Sequence, residues 1–240
     1  MLEVLVVSTK NLFGERHYDS IQRIQDDGTL MGEEVAAFNK LDGQNVGVKY
    51  SPKRKEFGPF CSRNRVFDES DPQFGCAVQW FKSSHYPEIL SQIVTENSKK
   101  GGYFNGVEEV MFYFEWWGEN SFAGVHCPDD DQKLYLIDVF LKKKGYIEFK
   151  PLMELFYSHE EILQPELIYR GPLTKEFINS IRENDWTKEN CQYPQVKEGV
   201  VCRRTTLMKG QKLPKCKFKT RWWLDKVYAM YPKEIADKLI

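Results

Sequence analysis

Five charged side chains have the types and the order that a lysine-based covalent reaction requires. Lys40 opens a Lys-x-Asp-Gly tetrapeptide, Glu115 stands in Phe-Glu-Trp-Trp-Gly, Glu198 begins Glu-Gly-Val-Val, and Lys217 and Lys219 form Lys-Phe-Lys. The tetrapeptide alone recurs by chance, and its lysine could be a surface lysine beside a turn. An ordered series of such motifs is far less expected by chance. Together they predict a lysine poised for covalent chemistry.

Chemistry at Lys40 depends on its surroundings. A lysine amine attacks only when it is unprotonated, whereas the pKa of a free lysine is about 10.4. Nearby cationic groups or a metal ion lower such a pKa and make the amine available. Asp42 and Gly43 shape the turn that follows, and Gly43 permits a positive φ or the close approach of a ligand.

The other charged residues also need an explanation. Glu115 lies in a run of bulky apolar residues, where an unpartnered carboxylate is costly. Contact with a ligand or a metal, or a buried ion pair, would each explain it. Lys217 and Lys219 are two residues apart, so both ammonium groups point to one face of a strand. That face is either a binding surface or merely exposed.

Strands are predicted to carry most of these residues. Val35–Lys40 and Asn45–Tyr50 surround Asp42-Gly43, a signal for a hairpin or a tight turn, which puts Lys40 at a strand end facing a cavity. Aromatic and β-branched runs predict further strands at Lys55–Arg65, Val107–Trp117, Leu134–Leu141, Val196–Arg204 and Cys216–Trp222.

Helical spacing of apolar residues marks the remaining elements. It predicts helices at Tyr86–Glu96, at Leu152–Leu163, at Thr174–Arg182 with Thr174 as its cap, and at Trp223–Ile240 with an interruption near Pro232. The chain shows no repeat, no low-complexity linker and no domain break. The pattern indicates one α+β domain of antiparallel sheets flanked by helices.

Composition favours a packed intracellular protein. The 240 residues are 41% apolar and 14% aromatic, and no apolar run approaches the ~18 residues that span a bilayer. Leu2–Val7 predicts a strand, because it is too short and too acidic at its start for a signal peptide. Six cysteines lack Cys-x-x-Cys spacing, which favours reduced thiols over a zinc site or a disulfide framework.

Charge is strongly segregated along the chain. Residues 197–226 carry ten Lys or Arg against two acidic residues, a net charge of +8. Residues 107–138 carry eight Asp or Glu against Lys133, a net charge of −7. Both runs could be solvated faces. The aromatic residues within the basic run favour a surface for polyphosphate or nucleic acid.

The ordered motifs over residues 30–222 resemble the covalent nucleotidyltransferase superfamily of polynucleotide ligases and mRNA capping enzymes. They are most similar to phage-type ATP-dependent RNA ligases. The resemblance implies an ATP-grasp-like ligase adenylation domain over residues 1–240, with no separate C-terminal OB-type domain apparent. Chains without one would work alone, as an isolated catalytic domain, or with a partner protein.

The resemblance also implies roles for four catalytic residues. Lys40 is expected to attack the α-phosphate of ATP, which gives lysyl-AMP and pyrophosphate. AMP then passes to an RNA 5′-phosphate, and a 3′-hydroxyl displaces it to form a phosphodiester. Glu198 is expected to engage Mg²⁺ or Mn²⁺, and Lys217 and Lys219 to offset charge on the α-phosphate.

Nucleotide-binding residues follow from the same resemblance. Arg63 in Ser-Arg-Asn is favoured over Arg65 for the ribose and phosphate oxygens. Glu115 is expected to receive the ribose hydroxyls and to bind metal. Asn45 would hold a phosphate oxygen or a metal-bound water, or instead cap the turn. Asn39, which precedes the nucleophile, completes this set.

The base-binding position departs from the family pattern. Relatives place an aromatic residue just before an aspartate, whereas Ile137 precedes Asp138 here. Ile137 covers adenine by apolar contact, or Phe140 stacks on it, and core packing is the alternative for both.

Other functions and partners stay open at this stage. The expected partners are RNA ends, possibly in a nicked duplex, within the cytoplasm of a phage- or virus-infected cell or another intracellular compartment. A DNA ligase, a GTP-using capping enzyme and a non-catalytic nucleic-acid-binding module are the alternatives. The sequence has no Gly-x-Gly-x-x-Gly or Walker loop, and residues 129–131 favour a solvated loop over a calcium site.

Overall fold

A computed structural model describes residues 22–23, 30–63, 65–118, 131–206 and 214–239. The strands in chain order are β1 (Gln22–Arg23), β2 (Glu34–Lys40), β3 (Gln44–Ser51), β4 (Glu56–Cys61), β5 (Val66–Phe67), β6 (Val110–Trp117), β7 (Lys133–Leu141), β8 (Gly145–Tyr146), β9 (Leu167–Pro172), β10 (Gly199–Arg204) and β11 (Lys215–Lys219). The predictions for Leu2–Val7 and for Asp129 and Asp130 lie outside these ranges.

Six helices accompany the strands in the described ranges. They are α1 (Gly75–Ser83), α2 (Tyr86–Glu96), α3 (Phe149–Leu155), α4 (Lys175–Arg182), α5 (Arg221–Met230) and α6 (Lys233–Leu239). Among these helices, none has the length and apolar character needed to cross a membrane.

The described residues divide into two compact units. The first unit contains Gln44–Trp116 and Gln132–Gln164, and its six strands follow the order β5-β4-β3-β6-β7-β8. The second unit contains the described residues of Ser20–Gly43, Trp117–Asp131 and Pro165–Ile240, and its five strands follow the order β1-β11-β10-β2-β9. Strand β1 is parallel to β11. The other three pairs, β11 with β10, β10 with β2, and β2 with β9, are antiparallel.

One face of the six-stranded sheet carries the core of the first unit. On β6, Phe112, Phe114 and Trp116 alternate into this core, whereas the residues between them face the other side. Helix α2 contributes Leu90, Ile93 and Val94 at helical spacing. Because alternation leaves one face of the sheet free of this core, that second face can carry polar site residues.

The core of the second unit lies against one face of the five-stranded sheet. Val200 and Cys202 of β10 and Cys216 and Phe218 of β11 pack there with apolar residues of α4. Thr174 caps α4, its side chain accepting a hydrogen bond from the Phe177 backbone N–H at 3.2 Å. The residues that alternate with this core, including Lys217 and Lys219, therefore lie on the opposite face.

The predicted α+β class with antiparallel sheets flanked by helices is confirmed. The helix at Tyr86–Glu96, the Thr174 cap and the break near Pro232 are also confirmed. Of the two alternatives at Asp42-Gly43, the hairpin is wrong, because β2 pairs with β9 and β10 whereas β3 pairs with β4 and β6. The assignment of residues 1–240 to one catalytic domain stays a prediction.

Three predicted boundaries are wrong for local reasons. The helix at Leu152–Leu163 ends at Leu155, since Phe156 turns into the core and its carbonyl accepts a hydrogen bond from the Gln164 amide at 2.6 Å. The strand at Cys216–Trp222 ends at Lys219, because Thr220 caps α5. The strand at Lys55–Arg65 ends at Cys61, because the chain turns there, with Ser62 N–H bonded to Arg65 O at 2.8 Å, before it enters β5 at Val66.

Candidate active site

Strand β10 lies between the two strands that carry the key lysines. Gly199, its first residue, is the register partner of Lys40 at the end of β2 and of Lys219 at the end of β11. Glu198 immediately precedes β10. The ends of three neighbouring strands therefore bring Lys40, Glu198 and Lys219 together, although the three residues are far apart in sequence.

Both lysines form ion pairs with one carboxylate oxygen. Lys40 Nζ and Lys219 Nζ each lie 2.9 Å from Glu198 Oε1. The side chains of Glu198 and Lys219 are 3% and 6% exposed, and that of Lys40 is 21% exposed. The three groups thus form a desolvated cluster with two cations and one anion, with Lys40 the most accessible to a substrate.

The pKa of Lys219 falls from its usual value to about 8. Burial is the largest cause, because it disfavours the charged form of an amine. The Glu198 carboxylate opposes this shift, and the Lys40 ammonium adds to it.

Trp223 joins this cluster from the first turn of α5. Its indole ring lies under Lys219, with Nζ 3.5 Å from the ring centroid, a cation–π contact. Its Nε1–H donates a hydrogen bond to Asp42 Oδ2 at 3.0 Å, and both residues are buried. Asp42, predicted to shape the turn after Lys40, thus also anchors a residue of α5.

The backbone around Thr220 fixes the junction between β11 and α5. Thr220 N–H donates to Glu198 O at 2.9 Å, and its hydroxyl donates to Lys197 O at 2.7 Å. The same hydroxyl accepts a hydrogen bond from the Trp223 backbone N–H at 3.1 Å, which caps α5. One residue thus ties the strand that carries Lys219 to the segment that carries Glu198.

The prediction that Lys217 and Lys219 share one face of a strand is confirmed, whereas a binding function of the basic run stays a prediction. Lys217 lies on the same face of β11 as Lys219, two residues earlier, and is half-buried. The run at 197–226 is not simply a solvated face, since Arg203, Arg204 and Lys219 are buried.

A divalent cation fits the free side of Glu198. Its Oε2 is buried and has no hydrogen-bond partner among the residues that the structure describes, although its Oε1 serves two lysines. A hard oxygen donor of this kind suits Mg²⁺ or Mn²⁺. The described ranges contain no group of three or more His, Cys, Asp or Glu that could hold an ion, so phosphate oxygens and water would have to complete such a site.

In the first unit, Asn45 and Glu115 face each other across β3 and β6. They are register partners, and Asn45 Nδ2 donates to Phe114 O at 3.4 Å. Since Phe114 and Trp116 point into the core, Glu115 lies on the opposite face of the sheet, half-buried. The two predicted ligands therefore share one face of the six-stranded sheet.

The two candidates for the base contact, Ile137 and Phe140, lie on β7 and are both half-buried. Ile137 alternates with the core residues Leu134 and Leu136, which puts it on the face away from the core. Phe140 makes an edge contact with Tyr146, with ring centroids 5.1 Å apart. Neither Ile137 nor Phe140 is a member of the buried core, and the assignment of the adenine contact to one of them stays a prediction.

The two arginine candidates differ in their surroundings. Arg63 is exposed in the turn between β4 and β5. The Arg65 guanidinium instead forms a bidentate ion pair with Asp71, with one of its bonds, from Nη2 to Oδ1, at 3.0 Å. This pair holds the pKa of Asp71 down at about 2. Arg65 therefore has a structural role, which favours Arg63 as the binding residue.

Asn39, which precedes Lys40, is engaged with the backbone. Its Nδ2 donates to Gln195 O at 3.0 Å, and its backbone N–H donates to Glu166 O at 2.8 Å. These bonds join β2 to the segments before β9 and β10. The Asn39 amide thus helps to hold the strand end that carries Lys40, and its predicted contact with nucleotide stays a prediction.

A family model for RNA ligases matches residues 33–221 of this chain. The chain belongs to the RNA ligase family. The match contains Lys40, Glu198 and Lys219 and ends before Trp223. No curated protein sequence matches the chain significantly.

Solved RNA ligases share this fold. A mutant of Naegleria gruberi RNA ligase with ATP and Mn is 16% identical, with a TM-score of 0.57 and coverage of 87% of this chain and 57% of that one. Another mutant, with AMP and Mn, gives a TM-score of 0.60 at 16% identity and the same coverage. The enzyme with PPi gives 0.55 at 17% identity, covering 89% of this chain and 59% of that one. The chain spans less than two thirds of these relatives.

Sequence reasoning missed two residues that build the site of this RNA ligase family member. These are Trp223, which contacts Lys219 and Asp42, and Thr220, which bonds to the carbonyls of Lys197 and Glu198. A tryptophan four residues after Lys219, at the start of a helix, was the available signal. Its contact with Asp42 spans 181 residues of sequence and has no local pattern.

Proposed function

We propose that the chain is an ATP-dependent RNA ligase of the phage type in which Lys40 is the nucleophile. The observation that carries this proposal is the cluster in which Lys40 and Lys219 share the buried carboxylate of Glu198. Two lysines around one buried carboxylate have little value as a stabilising device, since desolvation offsets much of the attraction. It suits a site that receives the negative charge of phosphates.

The first step is attack of the neutral Lys40 amine on the α-phosphorus of ATP. A P–N bond forms, the bond from the α-phosphorus to the bridging oxygen breaks, and pyrophosphate leaves. The amine loses its proton in the process. Because the Glu198 carboxylate stabilises Lys40 as a cation in the resting site, the Lys40–Glu198 ion pair must be broken before attack.

Lys219 would stay beside the α-phosphate when Lys40 leaves Glu198 to attack it. Its ammonium is desolvated and held by Glu198 and the Trp223 ring, so little reorganisation is needed for it to offset charge on the α-phosphate. Lys217, on the same strand face, adds positive charge there. Fixed cations of this kind act most strongly where water is excluded.

Glu198 Oε2 and, in the other unit, Glu115 would hold divalent metal ions. A bound Mg²⁺ or Mn²⁺ would withdraw charge from the phosphate oxygens. The Glu198 carboxylate has one oxygen for the lysines and one for an ion, so it can serve both. Binding of a divalent cation at Oε2 would also weaken the ion pair between Glu198 and Lys40.

The polar face of the six-stranded sheet is proposed to bind the nucleotide. Glu115 would accept hydrogen bonds from the ribose hydroxyls, with Asn45 beside it, and Arg63 would donate to ribose and phosphate oxygens. Ile137 or Phe140 would cover adenine. The remaining two steps transfer AMP to an RNA 5′-phosphate and then seal the 3′-hydroxyl, with release of AMP.

Transfer of label from nucleotide to protein tests the first step. The protein is incubated with Mg²⁺ and either ATP or GTP labelled at the α-phosphate, and the covalently bound label is measured after denaturation. Label from ATP alone supports a ligase, whereas label from GTP alone identifies a capping-type enzyme. Label from neither nucleotide would contradict both, and would favour a module that binds nucleic acid without catalysis.

Defined strand breaks then test the polymer. A nicked duplex is prepared with RNA or DNA at the break, together with single-stranded RNA carrying a 5′-phosphate and a 3′-hydroxyl. We expect sealing where RNA supplies the ends, and equal or better sealing of an all-DNA nick would overturn the choice of RNA. Pre-adenylated ends, offered without ATP, bypass the lysine and report the last step separately.

A further inference from the structure

Trp223 occupies an unusual position for a residue outside the family match. It contacts two members of the site at once, the Lys219 ammonium through its ring and Asp42 through its indole N–H. The family match ends at residue 221, the first residue of α5, and therefore does not include Trp223.

The geometry points to Trp223 as a positioning residue for lysyl-AMP formation, one that fixes the Lys219 ammonium and the Asp42 carboxylate relative to Lys40. This inference rests on the function proposed above. Trp223 does not itself reach the reacting atoms in this argument; it acts through its two neighbours.

Trp223 restrains the ammonium group of Lys219. A lysine side chain has four rotatable bonds, and holding its ammonium in one place is entropically costly. Glu198 Oε1 restrains the ammonium from one direction, and the indole face restrains it from another at 3.5 Å. Without the ring, Lys219 has one restraint fewer, and the space beside it opens to water or to a different rotamer.

Trp223 also restrains the turn after Lys40. Asp42 is 4% exposed, and a buried carboxylate needs donors. The indole N–H supplies one at 3.0 Å. Because Asp42 follows Lys40 by two residues, this bond also restrains the end of β2 from which the nucleophile projects.

Trp223 is itself held in place by its helix and by a small core. Its backbone N–H is capped by Thr220, and its ring packs with Val227 and Ala236 in a small separate core. Helices α5 and α6 therefore supply a rigid mount for one side chain in the site. The indole N–H of a buried tryptophan needs an acceptor, and the acceptor here is Asp42, which lies two residues after Lys40.

Two substitutions separate the contacts of Trp223. Trp223→Phe keeps an aromatic face for Lys219 and removes the N–H to Asp42, whereas Trp223→Leu removes both. Leu90→Ala is the control, since it weakens the core of the first unit, to which Trp223, Lys219 and Asp42 do not belong. A single-turnover assay with labelled ATP gives two separate quantities, the rate constant of lysyl-AMP formation and the amplitude, which reports the folded fraction.

We expect the rate constant at saturating ATP to fall roughly tenfold for Trp223→Phe, as for loss of a hydrogen bond to a charged acceptor. For Trp223→Leu, which also loses a desolvated cation–π contact, the loss is on the order of a hundredfold. The ATP concentration that gives half the maximal rate should change little. Leu90→Ala should lower the thermal midpoint and the amplitude while leaving the rate constant unchanged.

The opposite result is equally clear. If the Trp223 variants lose amplitude but keep the wild-type rate constant, as expected for Leu90→Ala, Trp223 is only a packing residue. If Trp223→Leu does not fold, the larger and aromatic Trp223→Phe decides the question. Failure of the wild-type protein to take label from ATP would refute the proposed function instead, so the two failures are distinguishable.

Discussion

Gly199 and Lys219 approach each other so closely that only glycine fits between β10 and β11. A Cβ atom built on Gly199 would lie 2.3 Å from Phe218 O and 2.7 Å from Lys219 Cα. The colliding atoms are backbone, which cannot move aside as a flexible side chain can. The Glu-Gly pair therefore has a physical basis: the glycine brings the strand of Lys219 against the strand that begins after Glu198.

Gly199→Ala should therefore disrupt the site and the sheet together. Overpacking against backbone costs about 1–3 kcal/mol or more, and the displaced β11 would carry Lys219 away from Glu198. We expect a lower denaturation midpoint in urea and a loss of lysyl-AMP formation in the protein that remains folded. Gly145→Ala is the control, because Gly145 also has a positive φ, of 93°, but has open space where the Cβ would be. Equal effects of the two variants would contradict the packing argument.

Arg63 and Arg65 should separate activity from stability. Arg63 is exposed, so Arg63→Ala should leave the thermal midpoint unchanged while it lowers the rate of label transfer from ATP by roughly tenfold or more, the loss of a charge-assisted contact. Arg65→Ala should do the reverse. It breaks the ion pair with Asp71, at a cost of about 1–2 kcal/mol given its partial exposure. Midpoints and transfer rates measured on both variants would reveal an exchange of roles, which would overturn the assignment.

The Arg65–Asp71 pair also predicts a dependence of stability on pH. The pKa of Asp71 is lowered to about 2 in the folded protein by its hydrogen bond with Arg65, compared with about 3.9 for an unfolded aspartate. Its contribution to stability is therefore complete above about pH 4, and it is lost as the pH falls through about 2. Urea midpoints between these pH values should fall less steeply for Asp71→Asn. Glu69→Gln, which affects a largely exposed pair with Lys82, should keep the wild-type slope; an unchanged slope for Asp71→Asn would contradict the prediction.

The sequence predicted the parts of the site that depend on local periodicity. The place of Lys40 at a strand end and the shared face of Lys217 and Lys219 both follow from alternation along one strand. The pairing of β2 was predicted wrongly, since a turn signal at Asp42-Gly43 cannot reveal that distant strands compete for the same edge. Trp223 could not be assigned, because its bond to Asp42 exists only after the strands and α5 have come together.

The position of the nucleotide label tests the central claim most directly. The protein is incubated with Mg²⁺ and ATP labelled at the α-phosphate, digested, and the adenylated peptide is identified by mass spectrometry, with γ-labelled ATP as the control. We expect α-label on the peptide that contains Lys40, and no label from γ-labelled ATP. Lys40→Arg keeps a cation beside Glu198 but removes the nucleophile, so it should take no label. Wild-type labelling of Lys40→Arg, or label on a different residue, would contradict the assignment of Lys40.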